Sequence, residues 1–105
     1  DPIFTRRLRE KYIENNLRSF DLTNSTDLKL KDIEPKNLDL ARTRYIDPSI
    51  IDINFELYVY DNTVTLLDYG PDKMMAVEIT NSNLSKMMAQ MFDAFWALGK
   101  DLTPS

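Results

Sequence analysis

The sequence contains no cysteine and no histidine. Without thiols the chain cannot form disulfides or thiolate metal sites, which fits a reducing compartment, and we expect the cytoplasm. Without imidazole it cannot build a Ser-His-Asp or Cys-His catalytic site, or a typical zinc site. We therefore expect a non-catalytic protein that carries neither a metal nor a cofactor.

Glycine and long apolar runs are also scarce. The two glycines, Gly70 and Gly99, are isolated, which excludes a phosphate-binding glycine-rich loop and a dinucleotide fingerprint. The apolar runs are only a few residues long, whereas a membrane-spanning helix needs roughly 20. We expect neither membrane insertion nor export.

What remains is the composition of an ordinary globular domain. The 105 residues are 43% hydrophobic and 29% charged, with a formal net charge of −4. This length accommodates one core, so residues 1–105 are predicted to form a single domain. Because the first residue is Asp1 and not methionine, we expect a processed chain or a piece of a longer one.

The first half of the chain predicts alternating helices and strands. Pro2 is typical of a first helical turn, and Phe4 and Leu8 begin an apolar pattern at helical spacing that stops at Asn15. These signals predict an N-terminal helix. The elements predicted after it are a strand at 18–22, a loop and short helix at 24–33 and a strand at 38–46.

The second half shows the clearest alternation. From Ile51 to Val59 apolar and polar residues alternate, which predicts a half-buried strand. Asp61 and Asn62 tolerate positive φ and predict a two-residue turn into a second strand. That turn predicts four aligned pairs, which are Val59 with Val64, Leu57 with Leu66, Tyr58 with Thr65 and Tyr60 with Thr63. A third strand at 75–79 completes a meander.

The last predicted element is an amphipathic helix. Asn81 or Ser82 is predicted to cap it and Gly99 to end it. Its apolar positions recur in steps of three and four, as on a core-facing helix. Together these elements predict an α+β fold, with a mostly antiparallel sheet of four to five strands and with N- and C-terminal helices packed on one face.

Aromatic residues mark the candidate binding surface. Tyr58 and Tyr60 lie on the polar face of a predicted strand, Trp96 lies off the centre of the helix stripe, and Tyr69 adds a fourth ring to this surface. Such rings suit a protein partner or a sugar ring, and simple packing is an equally good interpretation for them. Arg42 and Arg44, on one face of the strand at 38–46, complete the candidate set together with two carboxylates.

Those carboxylates are Glu56 and Glu78. Glu56 with Asp52 on the same strand, or with Glu78 across the meander, would offer the two groups of a general acid and base. Acidic groups on the outer face of a half-buried strand are usually there for solvation, and that is the stronger interpretation. We keep Glu56 and Glu78 as candidate ligand or partner contacts.

Residues 44–100 contain, in order, a strand–turn–strand segment ELYVYDNTVTLL, a strand MMAVEIT and a closing helix with the aromatic pair of FDAFW. This order resembles the C-terminal part of TrmB-like transcription regulators of archaea and bacteria. The resemblance implies an effector or dimerisation domain with a degenerate phospholipase-D-like fold, following a winged helix-turn-helix that these residues do not include. The catalytic histidine and lysine pair of the related enzymes is not carried over, because the sequence has no histidine.

The leading hypothesis is therefore sensing and dimerisation within a transcription regulator. It implies a homodimer, a possible sugar-like effector, and DNA contact only through the missing helix-turn-helix domain. The alternative is a stand-alone protein–protein interaction module that binds its partner through Tyr58, Tyr60 and Trp96.

Overall fold

The computed structural model describes residues 2–9, 17–26, 41–72 and 74–102. Within these residues the chain forms seven strands and one helix. The strands are β1 (Ile3–Arg9), β2 (Leu17–Thr23), β3 (Ala41–Tyr45), β4 (Glu56–Tyr60), β5 (Thr63–Tyr69), β6 (Met74–Thr80) and β7 (Lys100–Asp101), and the helix is α1 (Ser82–Leu98). Most of the predicted loop and short helix at 24–33, and the start of the strand predicted at 38–46, lie outside the described residues.

All seven strands belong to one mixed sheet, in the order β6-β5-β4-β1-β2-β3-β7. β1 runs parallel to β4 and β2 parallel to β3, while the other neighbouring pairs are antiparallel. The predicted α+β fold, with four to five mostly antiparallel strands and a helix at each end, is therefore wrong. In each parallel pair the two strands are far apart in the chain, and the alternation within a strand does not identify such a partner.

The N-terminal helix is the clearest error of that prediction. Residues Ile3–Arg9 form β1, which lies inside the sheet with β2 on one side and β4 on the other. Phe4 is 2% exposed and Thr5 is 1% exposed, so consecutive residues are buried on opposite faces. An amphipathic helix buries only one stripe, whereas an inner strand is paired on both edges and covered on both faces. These tertiary contacts outweigh the helical spacing of Phe4 and Leu8.

The meander of β4, β5 and β6 follows the prediction. Asp61, which has a φ of 50°, and Asn62 form the turn between β4 and β5. The four predicted pairs are confirmed, namely Leu57 with Leu66, Tyr58 with Thr65, Val59 with Val64 and Tyr60 with Thr63. β6 then pairs antiparallel with β5, as predicted for the third strand.

The start of β4 differs, because the strand begins at Glu56 and not at Ile51. The side chain of Asn24 makes three hydrogen bonds to the preceding segment. Its Nδ2 donates to the carbonyls of Ile46 (2.9 Å) and Ile51 (3.0 Å), and its Oδ1 accepts from the N–H of Ile53 at 2.8 Å. Residues 51–55 therefore do not form a strand. Their alternation comes from the burial of Ile53 against the core.

Helix α1 packs against one face of the sheet. Asn81 caps it by accepting the N–H of Leu84 at 2.9 Å, and Gly99 follows its last residue, both as predicted. Ser85 donates to the carbonyl of Asp61 at 2.7 Å, which fixes the start of the helix to the β4–β5 turn. The buried cluster between helix and sheet consists of Phe4, Leu22, Ile46, Ile53, Val59 and Phe92.

Candidate functional site

The two faces of the sheet differ in chemistry. The face against α1, which we call the helix face, carries core residues such as Phe4 and Leu22. The opposite face, which we call the polar face, carries the alternate residues of each strand. Its central row crosses six strands in register and consists of Thr43, Asp21, Thr5, Tyr58, Thr65 and Glu78. Every member has a polar side chain, so the sheet brings polar groups from distant segments into one line.

A recess in the polar face is the candidate functional site. It has a volume of about 340 Å³, and its lining residues are Arg7, Tyr58, Tyr60, Thr63, Thr65 and Glu78. Ligand pockets commonly have volumes of about 300 to 1,000 Å³, so the volume of this recess lies at the lower end of that range. Three sequence-predicted residues, Tyr58, Tyr60 and Glu78, line it, and Glu56 contacts it through Tyr58.

Tyr58 connects two charged residues at the recess. The guanidinium carbon of Arg7 lies 5.0 Å from the centroid of the Tyr58 ring, and the Tyr58 hydroxyl donates to Oε2 of Glu56 at 3.1 Å. Partial burial raises the pKa of Tyr58 above its ordinary value, and the charge and hydrogen bond of Glu56 raise it further, while Arg7 lowers it. The phenol therefore keeps its proton at neutral pH and remains a donor to Glu56.

A partly buried carboxylate lies next to the recess, on β2. Asp21 accepts hydrogen bonds from Oγ1 of Thr5 at 2.8 Å and from Oγ of Ser19 at 3.0 Å. Burial raises the pKa of Asp21 above its ordinary value, whereas the two hydroxyls and the charge of Arg7 lower it. Arg7 thus interacts with Asp21 and with Tyr58 while its own side chain stays exposed to solvent.

Trp96 lies on the helix face, on the other side of the sheet from Tyr58 and Tyr60. Its ring stacks on Phe92, with centroids 5.7 Å apart, and meets Phe20 edge-on at 5.5 Å. These contacts make Trp96 part of the packing between α1 and the sheet. The three aromatic residues proposed from the sequence as one partner surface are therefore not brought together.

Arg42 and Arg44 also lie on the helix face, because they pair in register with core residues of β2. The guanidinium carbon of Arg44 lies 4.5 Å from the Trp96 ring centroid, and its Nη1 donates to the Trp96 carbonyl at 2.8 Å. Arg42 forms an ion pair with Asp101, with 3.1 Å between nitrogen and oxygen. Both arginines thus contact other parts of the chain, and neither lines the recess.

The acidic residues do not form a facing pair in the described structure. Asp52 is exposed and precedes β4, so it does not share a strand face with Glu56. Glu78 lies on β6, separated from β4 by β5, and two strand spacings amount to about 10 Å. Among the described residues, no group of three or more acidic side chains could hold a metal ion.

Three recess residues were not among the candidates taken from the sequence. Thr63 and Thr65 follow from the predicted hairpin register, because they are the cross-strand partners of Tyr60 and Tyr58. Arg7 could not be found in this way, since its segment was predicted to be helical. Only the parallel pairing of β1 with β4 places Arg7 beside Tyr60.

The chain has no match at a significant level among protein-family models, curated proteins or solved structures. Of the helices in the described residues, none combines the length and the apolar character that crossing a membrane requires.

Proposed function

We propose that this chain is the non-catalytic sensing and dimerisation domain of a TrmB-like transcription regulator, acting in the cytoplasm. The observation that carries the proposal is the recess on the polar face, where a guanidinium, two phenols, two hydroxyls and a carboxylate surround about 340 Å³. The absence of cysteine and histidine from the sequence supports binding over catalysis.

The chemistry of the recess favours a small, hydroxyl-rich effector, such as a sugar. Arg7 and Glu78 provide charge-assisted donors and acceptors, and Thr63 and Thr65 provide hydroxyls that both donate and accept. Because the Tyr58 hydroxyl donates to Glu56, its oxygen still accepts a hydrogen bond from a ligand. Aromatic rings beside these groups pack against the C–H faces of a sugar.

In this proposal the regulator contacts DNA through a winged helix-turn-helix outside the 105 residues. The resemblance of residues 44–100 to the C-terminal part of such regulators supports this division of labour. It is checked by reading the coding sequence upstream of Asp1. An in-frame helix-turn-helix would support the proposal, and an unrelated domain there would contradict it.

Thermal unfolding with added sugars tests the sensing role directly. Glucose, maltose and sucrose are titrated separately against the wild-type chain. At about ten times the dissociation constant, a bound ligand stabilises the folded state by about 1.4 kcal/mol, which raises Tm by several degrees in a domain of this size. The shift should disappear in Glu78→Gln and Tyr60→Phe, which change the recess.

Tyr69→Phe is the matched control, because it removes a phenol that is 64% exposed and does not line the recess. It should keep the full shift. The sensing role is rejected if no sugar in the panel raises Tm, or if the shift survives in both recess variants.

A further inference from the structure

Strand β6 forms one end of the sheet, and β5 is its only neighbour among the described strands. Six of its seven residues are exposed, and Val77 is partly buried. The strand MMAVEIT contains neither proline nor lysine, the residues that commonly protect an edge from pairing with another chain. It therefore presents a row of backbone donors and acceptors and exposed apolar side chains.

The same edge carries an apolar surface on the helix face. Met75 and Ile79 of β6 are 42% and 37% exposed, and they lie on the helix face because Val77 pairs with Leu66. Val77, which lies between them, is partly buried. We call Met75, Val77 and Ile79 the methionine edge. None of the three carries a charge.

We propose that the methionine edge binds a second copy of this chain, through antiparallel pairing of β6 with the partner's β6. This extends the dimerisation part of the proposed function by naming the surface that pairs. The two sheets would join into one, with both α1 helices on the same side.

The sequence of β6 is suited to a two-fold arrangement centred on Val77. In that register Val77 faces the partner's Val77, and Met75 faces the partner's Ile79. On the polar face, Glu78 faces the partner's Ala76, so the two Glu78 carboxylates do not oppose each other. The only charged residue of the strand is thus accommodated without like-charge repulsion.

The surface is small for an obligate dimer. It is formed by one seven-residue strand, whereas a standard interface takes roughly 800 Å² from each partner and obligate interfaces take more. The dimer should therefore dissociate on dilution.

The arrangement connects pairing with the recess, because both use β6. Glu78 lines the recess, and its neighbours Val77 and Ile79 belong to the methionine edge. In the dimer the two recesses lie on the same face of the joined sheet, on either side of the two-fold axis. A ligand that contacts Glu78 therefore acts on the strand that forms the interface.

The test uses paired charge substitutions and sedimentation velocity over a range of protein concentrations, without ligand. Met75→Lys and Ile79→Glu, made singly, should each raise the dimer dissociation constant about tenfold or more, since each loses two apolar pairs per dimer. The double variant should recover the dimer, because the lysine of one copy then faces the glutamate of the other. Circular dichroism and urea unfolding establish that each variant is folded.

Leu98→Lys is the matched control, because Leu98 is 60% exposed at the far end of α1 and should leave the dimer unchanged. A wild-type chain that stays monomeric at all concentrations overturns the inference. So does a dimer that resists both single variants, or a double variant that stays as weak as the single ones. The sugar titration reports on the recess in monomer and dimer alike, so failure of the pairing and failure of sensing are distinguishable.

Discussion

The guanidinium carbon of Arg7 lies 5.0 Å from the centroid of the Tyr58 ring, while the hydroxyl of that ring donates to Glu56. One phenol is thus placed between a cation on β1 and a carboxylate on its own strand. The two charges act on its proton in opposite directions, because the cation favours the phenolate and the carboxylate disfavours it.

Substitution of either charge should shift the Tyr58 titration in a defined direction. Glu56→Gln should lower the pKa of Tyr58, and Arg7→Gln should raise it further. A raised pKa means that this phenol stabilises the fold below its unfolded pKa, near 10, and that this contribution is lost as the pH rises through the folded value. Absorbance of tyrosinate against pH measures the shift, and Tyr58→Phe identifies the step. Equal shifts in the two variants would contradict the arrangement.

Asp21 gives a second pH-dependent expectation. Because burial raises its pKa, the folded state binds this proton more tightly than the unfolded state. The contribution of Asp21 to the free energy of unfolding is therefore fully present at low pH and is lost as the pH rises through the folded pKa. Asp21→Asn keeps an acceptor for the hydroxyls of Thr5 and Ser19 but has no carboxyl proton to lose. Its free energy of unfolding should therefore not fall as this carboxyl ionises. Urea unfolding should show the variant gaining stability relative to wild type between acid and neutral pH, and a constant difference would refute the expectation.

The side chain of Asn24 should be a major determinant of stability. Its amide makes three hydrogen bonds to backbone groups of the segment between β3 and β4, including the N–H of the buried Ile53. At a net contribution of about 1 kcal/mol each, Asn24→Ala should lower the free energy of unfolding by roughly 2 to 4 kcal/mol. Asn54→Ala, at an exposed position nearby, should change it by less than about 0.5 kcal/mol. Similar losses in both variants would show that Asn24 has no special role.

Gly99 is expected to resist even the smallest enlargement. A Cβ at this position would lie 3.0 Å from the carbonyl oxygen of Tyr45 and 3.1 Å from Cβ of Arg44. Its φ of −85° is open to any residue, so the constraint is one of space. Gly99→Ala should cost about 1 to 3 kcal/mol, as overpacking does elsewhere. An unchanged urea midpoint would mean that β3 and the end of α1 can move apart freely.

The parts of the fold that could be predicted from the sequence are those built from neighbouring segments. The β4–β5 register follows from two turn residues and the alternation of Leu57 and Val59, and α1 follows from Asn81, Gly99 and the apolar stripe between them. In each case the partner lies close in the chain, so a local pattern determines the pairing.

The centre of the sheet could not be predicted in this way. Phe4 and Leu8 fit a helix as well as a strand, and only pairing with β2 and β4 decides between them. The candidate site could be predicted only in part, for the same reason. Its residues on β4, β5 and β6 follow from the hairpin register. The position of Arg7 depends on the parallel pairing of β1 with β4, and the separation of Trp96 from Tyr58 depends on which face of the sheet α1 covers.

The position of β1 also affects how the chain reaches its native state. A ribosome releases residues 3–9 well before β4, with which β1 must pair in parallel, and β2 is the only early partner available. One edge of this strand therefore stays open until most of the chain has emerged, whereas β4, β5 and β6 close locally within a short stretch. Nascent chains halted before residue 56 should accordingly depend on chaperones more than chains that include the meander.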